Sequence, residues 1–73
     1  MNSAAEVELL RCDYAARCSR AGCRQYRATT IVRYVDRQGR PLKQIEVCDD
    51  HADLIVRREQ RGGAAVRDLR SQR

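Results

Sequence analysis

Three of the four cysteines and the only histidine of this 73-residue chain fall into two short pairs. Cys18 and Cys23 form a C-x4-C step, Cys48 and His51 form a C-x2-H step, and 24 residues separate the pairs. Zn²⁺ takes four tetrahedral ligands from thiolates and imidazoles, and Cys3His is a common structural set. Each pair must reach one metal from a tight turn. Gly22 precedes the second ligand of Cys18-Ser19-Arg20-Ala21-Gly22-Cys23, and a glycine there can take positive φ and let the chain curl. In Cys48-Asp49-Asp50-His51 the ligands are three apart, which puts them on one face of a first helical turn. Asp49 or Asp50 is expected to cap that turn. We therefore expect one structural Zn²⁺ on Cys18, Cys23, Cys48 and His51.

Three alternatives bear on this site. Iron fits the same tetrahedral donors, although zinc is the usual occupant. A disulfide framework is the rival use of the cysteines. Cys12 could replace Cys18, giving C-x5-C or C-x10-C spacings in place of the tighter C-x4-C. Otherwise Cys12 is expected to be a small buried hydrophobe, with a reactive thiol near the metal as the other option.

Size and composition favour a metal. A chain this short buries little apolar surface and usually needs a staple, and this one has no Phe and no Trp. Structural zinc contributes roughly 10–16 kcal/mol of apparent free energy in small finger peptides. Residues 1–6 lack the basic and apolar regions of a signal peptide. The strongest apolar run, Leu54-Ile55-Val56, is too short to cross a membrane. A cytoplasmic location, where thiols stay reduced, is expected.

The expected fold is a small zinc-stabilised α+β domain: a zinc knuckle, a β-hairpin, then one α-helix. Residues 1–11 form an N-terminal segment, 12–61 the zinc-binding hairpin/helix domain and 62–73 an Arg-rich tail. Residues 1–5 are expected to fray, and Glu6 to Arg11 to form a strand or helical turn over the metal site. Tyr26 to Asp36 reads as a strand, with Tyr26, Ala28, Val32 and Tyr34 on one face and Arg27, Thr29, Ile31 and Arg33 on the other. Residues 36–41 form a turn with Gly39 at positive φ, and Leu42 to Val47 returns as the second strand. This hairpin accounts for the long spacer, because its open end brings the ligand pairs together. From Asp49 to about Gln60, the spacing of Ala52, Ile55, Val56 and Glu59 predicts a helix ending at Gly62. Residues 64–70 are expected to be a mobile tail or a further helical stretch using Val66 and Leu69.

The net charge is +5, with fourteen Arg and one Lys; bound zinc and three thiolates would make it about +4. By segment it is −2 over 1–16, +6 over 17–48, −2 over 49–60 and +3 over 61–73. Arginine is the better fork for phosphate, although so strong an Arg bias also fits a GC-rich genome.

The Cys18-to-Cys23 loop, the hairpin and Cys48-Asp49-Asp50-His51-Ala52 at a helix start together resemble short bacterial zinc-finger-like proteins of treble-clef or zinc-ribbon type. The resemblance covers roughly residues 18–60 and implies that a knuckle, a hairpin and a helix N-terminus share one metal. Most such proteins have no assigned biochemical role. The loop here has four intervening residues, where many treble clefs have two.

Four protein ligands close the zinc shell, whereas a catalytic zinc keeps an open position. The H-x-E with P-C-x-x-C deaminase signature is missing, and a nuclease would need further histidines. No enzyme activity is expected. Two binding functions are. In the first, Arg24, Arg27, Arg33, Arg37, Arg40 and Lys43 follow the phosphates of a nucleic acid or ribonucleoprotein. Outward-facing Tyr26 and Tyr34 would then stack on bases, but the period-two pattern assigns both to the core. In the second, the protein is a protein–protein adaptor whose tail orders on its partner. The acidic helix start at Asp49, Asp50 and Asp53 favours that option over phosphate at the helix N-terminus.

Overall fold

The computed structural model describes residues 5–20, 23 and 26–71. Its elements run β1 (Glu6–Arg11), β2 (Thr30–Val35), β3 (Pro41–Val47), α1 (Asp49–Arg61) and β4 (Ala65–Asp68). They form one four-stranded sheet, ordered β3-β2-β1-β4, with one helix. β2 pairs antiparallel with β1 and β3, and β4 pairs parallel with β1.

Strand alternation sorts the residues into two faces. Val7, Leu9, Val32, Tyr34 and Val47 form one cluster with Ala52 and Ile55 of the helix, and Ile45, Val56 and Val66 pack against it. Thr30 fills the position between Ala28 and Val32 and is fully buried; its hydroxyl accepts a hydrogen bond from the Arg70 guanidinium. The opposite face carries cross-strand ion pairs of Arg33 with Glu8 at 3.6 Å and Arg67 with Glu6 at 3.4 Å. Arg33 and Arg67 sit directly opposite Glu8 on either side of β1, the arrangement that lets opposite charges support a sheet.

The hairpin turn forms as its residues dictate. The Asp36 carboxylate accepts the backbone N–H groups of Gln38 and Arg40, both at 2.9 Å. Gly39 takes φ +83° with open space around it, so conformation and not crowding requires glycine.

Four expectations are corrected. The strand begins at Thr30, not Tyr26: Tyr26 is 57% exposed, and Arg27 makes only an isolated bridge to Arg17. Residues 26–28 bond instead to the chain that follows β1, through Tyr26 O to Cys18 N and Ala28 N to Ala16 O, while Thr29 still bonds both neighbours, its O to Cys12 N and its N to Val47 O. Closing the knuckle takes the backbone groups that a longer strand would need. Second, the helix N-cap is Cys48, with no side-chain cap bond; the Asp49 carboxylate accepts the Thr29 hydroxyl instead. Third, Ala5 is tied to Val35 O at 3.0 Å and to Ala65 N at 3.2 Å; residues 1–4 lie outside the described residues.

The fourth correction is the largest. Where a mobile tail or a further helical stretch is expected over residues 64–70, residues 65–68 add a strand to β1. Gly63 takes φ +93°, its N–H bonds Gln60 O at 3.1 Å, and Ala64 N bonds Glu59 O at 3.0 Å. This is a Schellman closure, which satisfies the last helical carbonyls and reverses the chain. It delivers Val66 opposite Val7 on the apolar face. Beyond the strand, Leu69 N bonds Leu9 O at 2.8 Å, and Arg70 forks onto the Asp68 carboxylate at 3.0 and 2.8 Å.

Candidate metal centre

Three parts of the chain converge at the end of the sheet marked by Thr30 and Val47. The loop after β1 contributes Cys18, the turn before β2 contributes Cys23, and the β3–α1 junction contributes Cys48 and His51. The ligand atoms of these four residues all lie within 4.8 Å of one another. Cys18 and Cys23 are buried and belong to the apolar core cluster, while Cys48 and His51 are half-buried.

The spacings test the fit. Zn–S bonds of about 2.3 Å and Zn–N bonds of about 2.0–2.1 Å give tetrahedral edges of about 3.8 Å between sulfurs and about 3.6 Å from sulfur to nitrogen. Here the Cys23 and Cys48 sulfurs are 3.6 Å apart. His51 Nδ1 lies 3.4 Å from Cys18 Sγ and 3.3 Å from Cys48 Sγ. These edges are within a few tenths of an ångström of the tetrahedral values, and every cysteine is a free thiol. The donor set fits one tetrahedral metal ion.

Local structure explains how each ligand is held. Cys48 is extended at φ −75°, ψ 168°, and its carbonyl accepts the first helical bond from Ala52 at 2.9 Å. His51 is therefore the third helical residue, the partner of a capping box, and here that spacing brings His51 and Cys48 together in the four-residue cluster instead. Cys18 N bonds Tyr26 O at 2.9 Å, Cys23 N bonds Arg20 O at 3.0 Å, and Ser19 N bonds Glu46 O at 2.9 Å, which ties the knuckle to the edge strand.

Acidity follows from this packing. Burial works to raise the Cys18 thiol, but hydrogen bonds from the backbone of Arg20 and Cys48, then His51 and Cys23, outweigh it and bring it down to about 7. Burial pushes the Cys23 thiol up to about 12, reinforced by the Cys48 and Cys18 sulfurs. Sulfurs this close resist ionising together unless a cation offsets their charge. A dication would displace the remaining protons as it binds.

Cys12 lies outside the cluster; its thiol donates to Tyr14 O at 3.6 Å. The basic residues are dispersed. Arg33 pairs with Glu8, Arg40 pairs with Asp36 at 3.4 Å and also bonds Gln38, and Lys43 sits over the Tyr34 ring at 4.9 Å. Arg27 and Arg37 are exposed and have no ion pair among the described residues. Arg24 and Gly22 lie outside the described residues. Sequence reasoning missed Thr29, which ties the β2 approach to the helix start, and Ser19, whose hydroxyl donates to Glu46 O at 2.7 Å. Neither carries a local signal, since each bond depends on a long-range meeting.

No protein-family model, curated protein or solved structure matches the chain. Among the described residues, no helix is long and apolar enough to cross a membrane.

Proposed function

We propose that this chain is a structural-zinc module, without catalytic activity, that binds nucleic acid in a reducing, cytoplasmic setting. The observation that carries the metal part is the meeting of four ligand atoms within 4.8 Å at the junction of knuckle, hairpin and helix. A knuckle, hairpin and helix start around one ion follow the treble-clef plan, with β1 and β4 added to it. Zinc suits the three-sulfur, one-nitrogen donor set, and four protein ligands leave no open position for substrate. Replacing zinc with Co²⁺ tests the site: thiolate charge-transfer and tetrahedral ligand-field bands are expected at one equivalent. A spectrum of octahedral, water-ligated Co²⁺ would contradict the assignment.

The nucleic-acid part rests on charge. Residues 14–35 contain Arg17, Arg20, Arg24, Arg27 and Arg33 and no carboxylate. Ion pairs at Arg33 and Arg40 offset part of the hairpin's positive charge and leave more of it on the knuckle. Affinity for a labelled oligonucleotide should fall linearly on a log–log salt plot, with a slope near −0.7 per phosphate contacted on a single strand. A flat salt response would favour the adaptor reading. Leu54, 56% exposed on the helix, favours that second reading, since it offers an apolar anchor for a protein partner.

A further inference from the structure

Two shallow depressions lie on the knuckle side of the molecule. Tyr26, Arg27, Asp49, Asp50 and His51 help to line the one beside the metal cluster. Ala15, Ala16, Arg17 and Arg27 line the other. Arg27 belongs to both, so it forms the divide of one continuous surface. Next to it, Tyr26 is the most exposed of the large hydrophobic residues described, at 57%.

These groups differ in chemistry. An exposed aromatic ring beside an arginine without an ion-pair partner offers a stacking plane and a phosphate contact a residue apart. Asp49 already accepts the Thr29 hydroxyl. The exposed Asp50 carboxylate, which helps to line the same depression, has no hydrogen-bond donor among the described residues. A carboxylate accepts from an exocyclic amino group, such as N4 of cytosine. Thymine and uracil carry no such group.

We propose that this surface binds a single-stranded nucleic acid: Tyr26 stacks on an unpaired base, Arg27 holds the adjoining phosphate and Asp50 accepts the amino group of that base. The inference rests on the nucleic-acid reading above and narrows it to one strand form and one face. A duplex offers its phosphates to Arg27 but keeps its bases stacked away from Tyr26. Stacking on one aromatic side chain is worth about 5- to 150-fold in affinity.

The test uses the full zinc-loaded chain and fluorescence anisotropy with oligo(dC), oligo(dT) and a duplex of equal length. Single strands should bind more tightly than the duplex, and oligo(dC) more tightly than oligo(dT). Tyr26→Ala should weaken single-strand binding at least fivefold, and Tyr26→Phe should retain it. Arg27→Gln should weaken binding and flatten the salt slope by the contribution of about one phosphate. Asp50→Ala should abolish the preference for oligo(dC). Unchanged zinc content and circular dichroism in each variant confirm that folding is intact. Binding that survives Tyr26→Ala undiminished, or a duplex bound as tightly as a single strand, overturns this inference while leaving nucleic-acid binding in place. No binding of any oligonucleotide overturns both and leaves the adaptor reading.

Discussion

The two ends of the sheet are held together differently. At the end marked by Thr30, Val47 and Cys48, the chain is joined by a few directional groups: the four metal-ligand atoms, the Thr29–Asp49 bond and the Arg70–Thr30 bond. At the end marked by Val35, Pro41 and Ala65, it is joined by backbone geometry, with Gly39 turning the hairpin and Gly63 reversing the helix into β4. Between them lies an apolar layer of Val7, Val32, Tyr34, Ile55 and their neighbours. With a metal bound, the stability of the Cys48 end would rest on four side chains, so that one substitution there would remove most of it. The other end spreads its stability over many small terms.

Substitutions should separate these regimes, beginning with the largest effect. Cys48→Ser should eliminate stoichiometric metal binding and leave the chain unfolded by circular dichroism at 25 °C. A structural zinc contributes roughly 10 kcal/mol or more, which matches or exceeds the total stability of many small domains. Ile55→Ala should cost about 2–5 kcal/mol, lowering the melting temperature while the folded protein still binds one metal. If Ile55→Ala also lost the metal at low temperature, the two regions would be a single unit.

Smaller effects sharpen the contrast. Gly63→Ala should cost about 1–2 kcal/mol through left-handed backbone strain alone, because a Cβ there meets no neighbouring atom. The loss should appear in denaturant midpoints, with metal stoichiometry unchanged. The smallest term is at Asp68, whose carboxyl the Arg70 guanidinium holds down at about 2. Its folded pKa lies below the unfolded value of about 3.9. The stabilisation it contributes is therefore complete above about pH 4 and lost as pH falls through about 2. The effect should be slight, since the Asp68 side chain is 51% exposed. An Asp68→Asn variant should show a correspondingly shallower acid loss; an identical profile would place the pair outside the stability of the fold.

The meeting of the four candidate ligands was legible because ligand chemistry is local in type and spacing. Cys18, Cys23, Cys48 and His51 announce a tetrahedral set before any fold is known, and the long spacer then requires a hairpin between them. The helix was readable from Ala52, Ile55 and Val56, and the turn from Gly39. The fourth strand was not. Ala64-Ala65-Val66-Arg67-Asp68 has too few β-branched residues to announce a strand. It becomes one because Gly63 aims it at the open edge of β1, where Val66 meets Val7. Tyr26 misled for a related reason: its alternation with Ala28 and Val32 matches a strand, but the backbone of Tyr26 and Ala28 bonds Cys18, Cys23 and Ala16 of the knuckle. Periodicity reports which residues could share a face, and long-range pairing decides whether they do.

The dependence of the fold on its metal is tested most directly by native mass spectrometry of protein expressed without added zinc, beside a chelator-treated sample followed by circular dichroism. One zinc per chain, and loss of the folded signal when the metal is stripped, are expected. A chain that is folded and carries no metal would contradict that dependence, and would leave the four converging side chains as core residues of a sheet that stands without them.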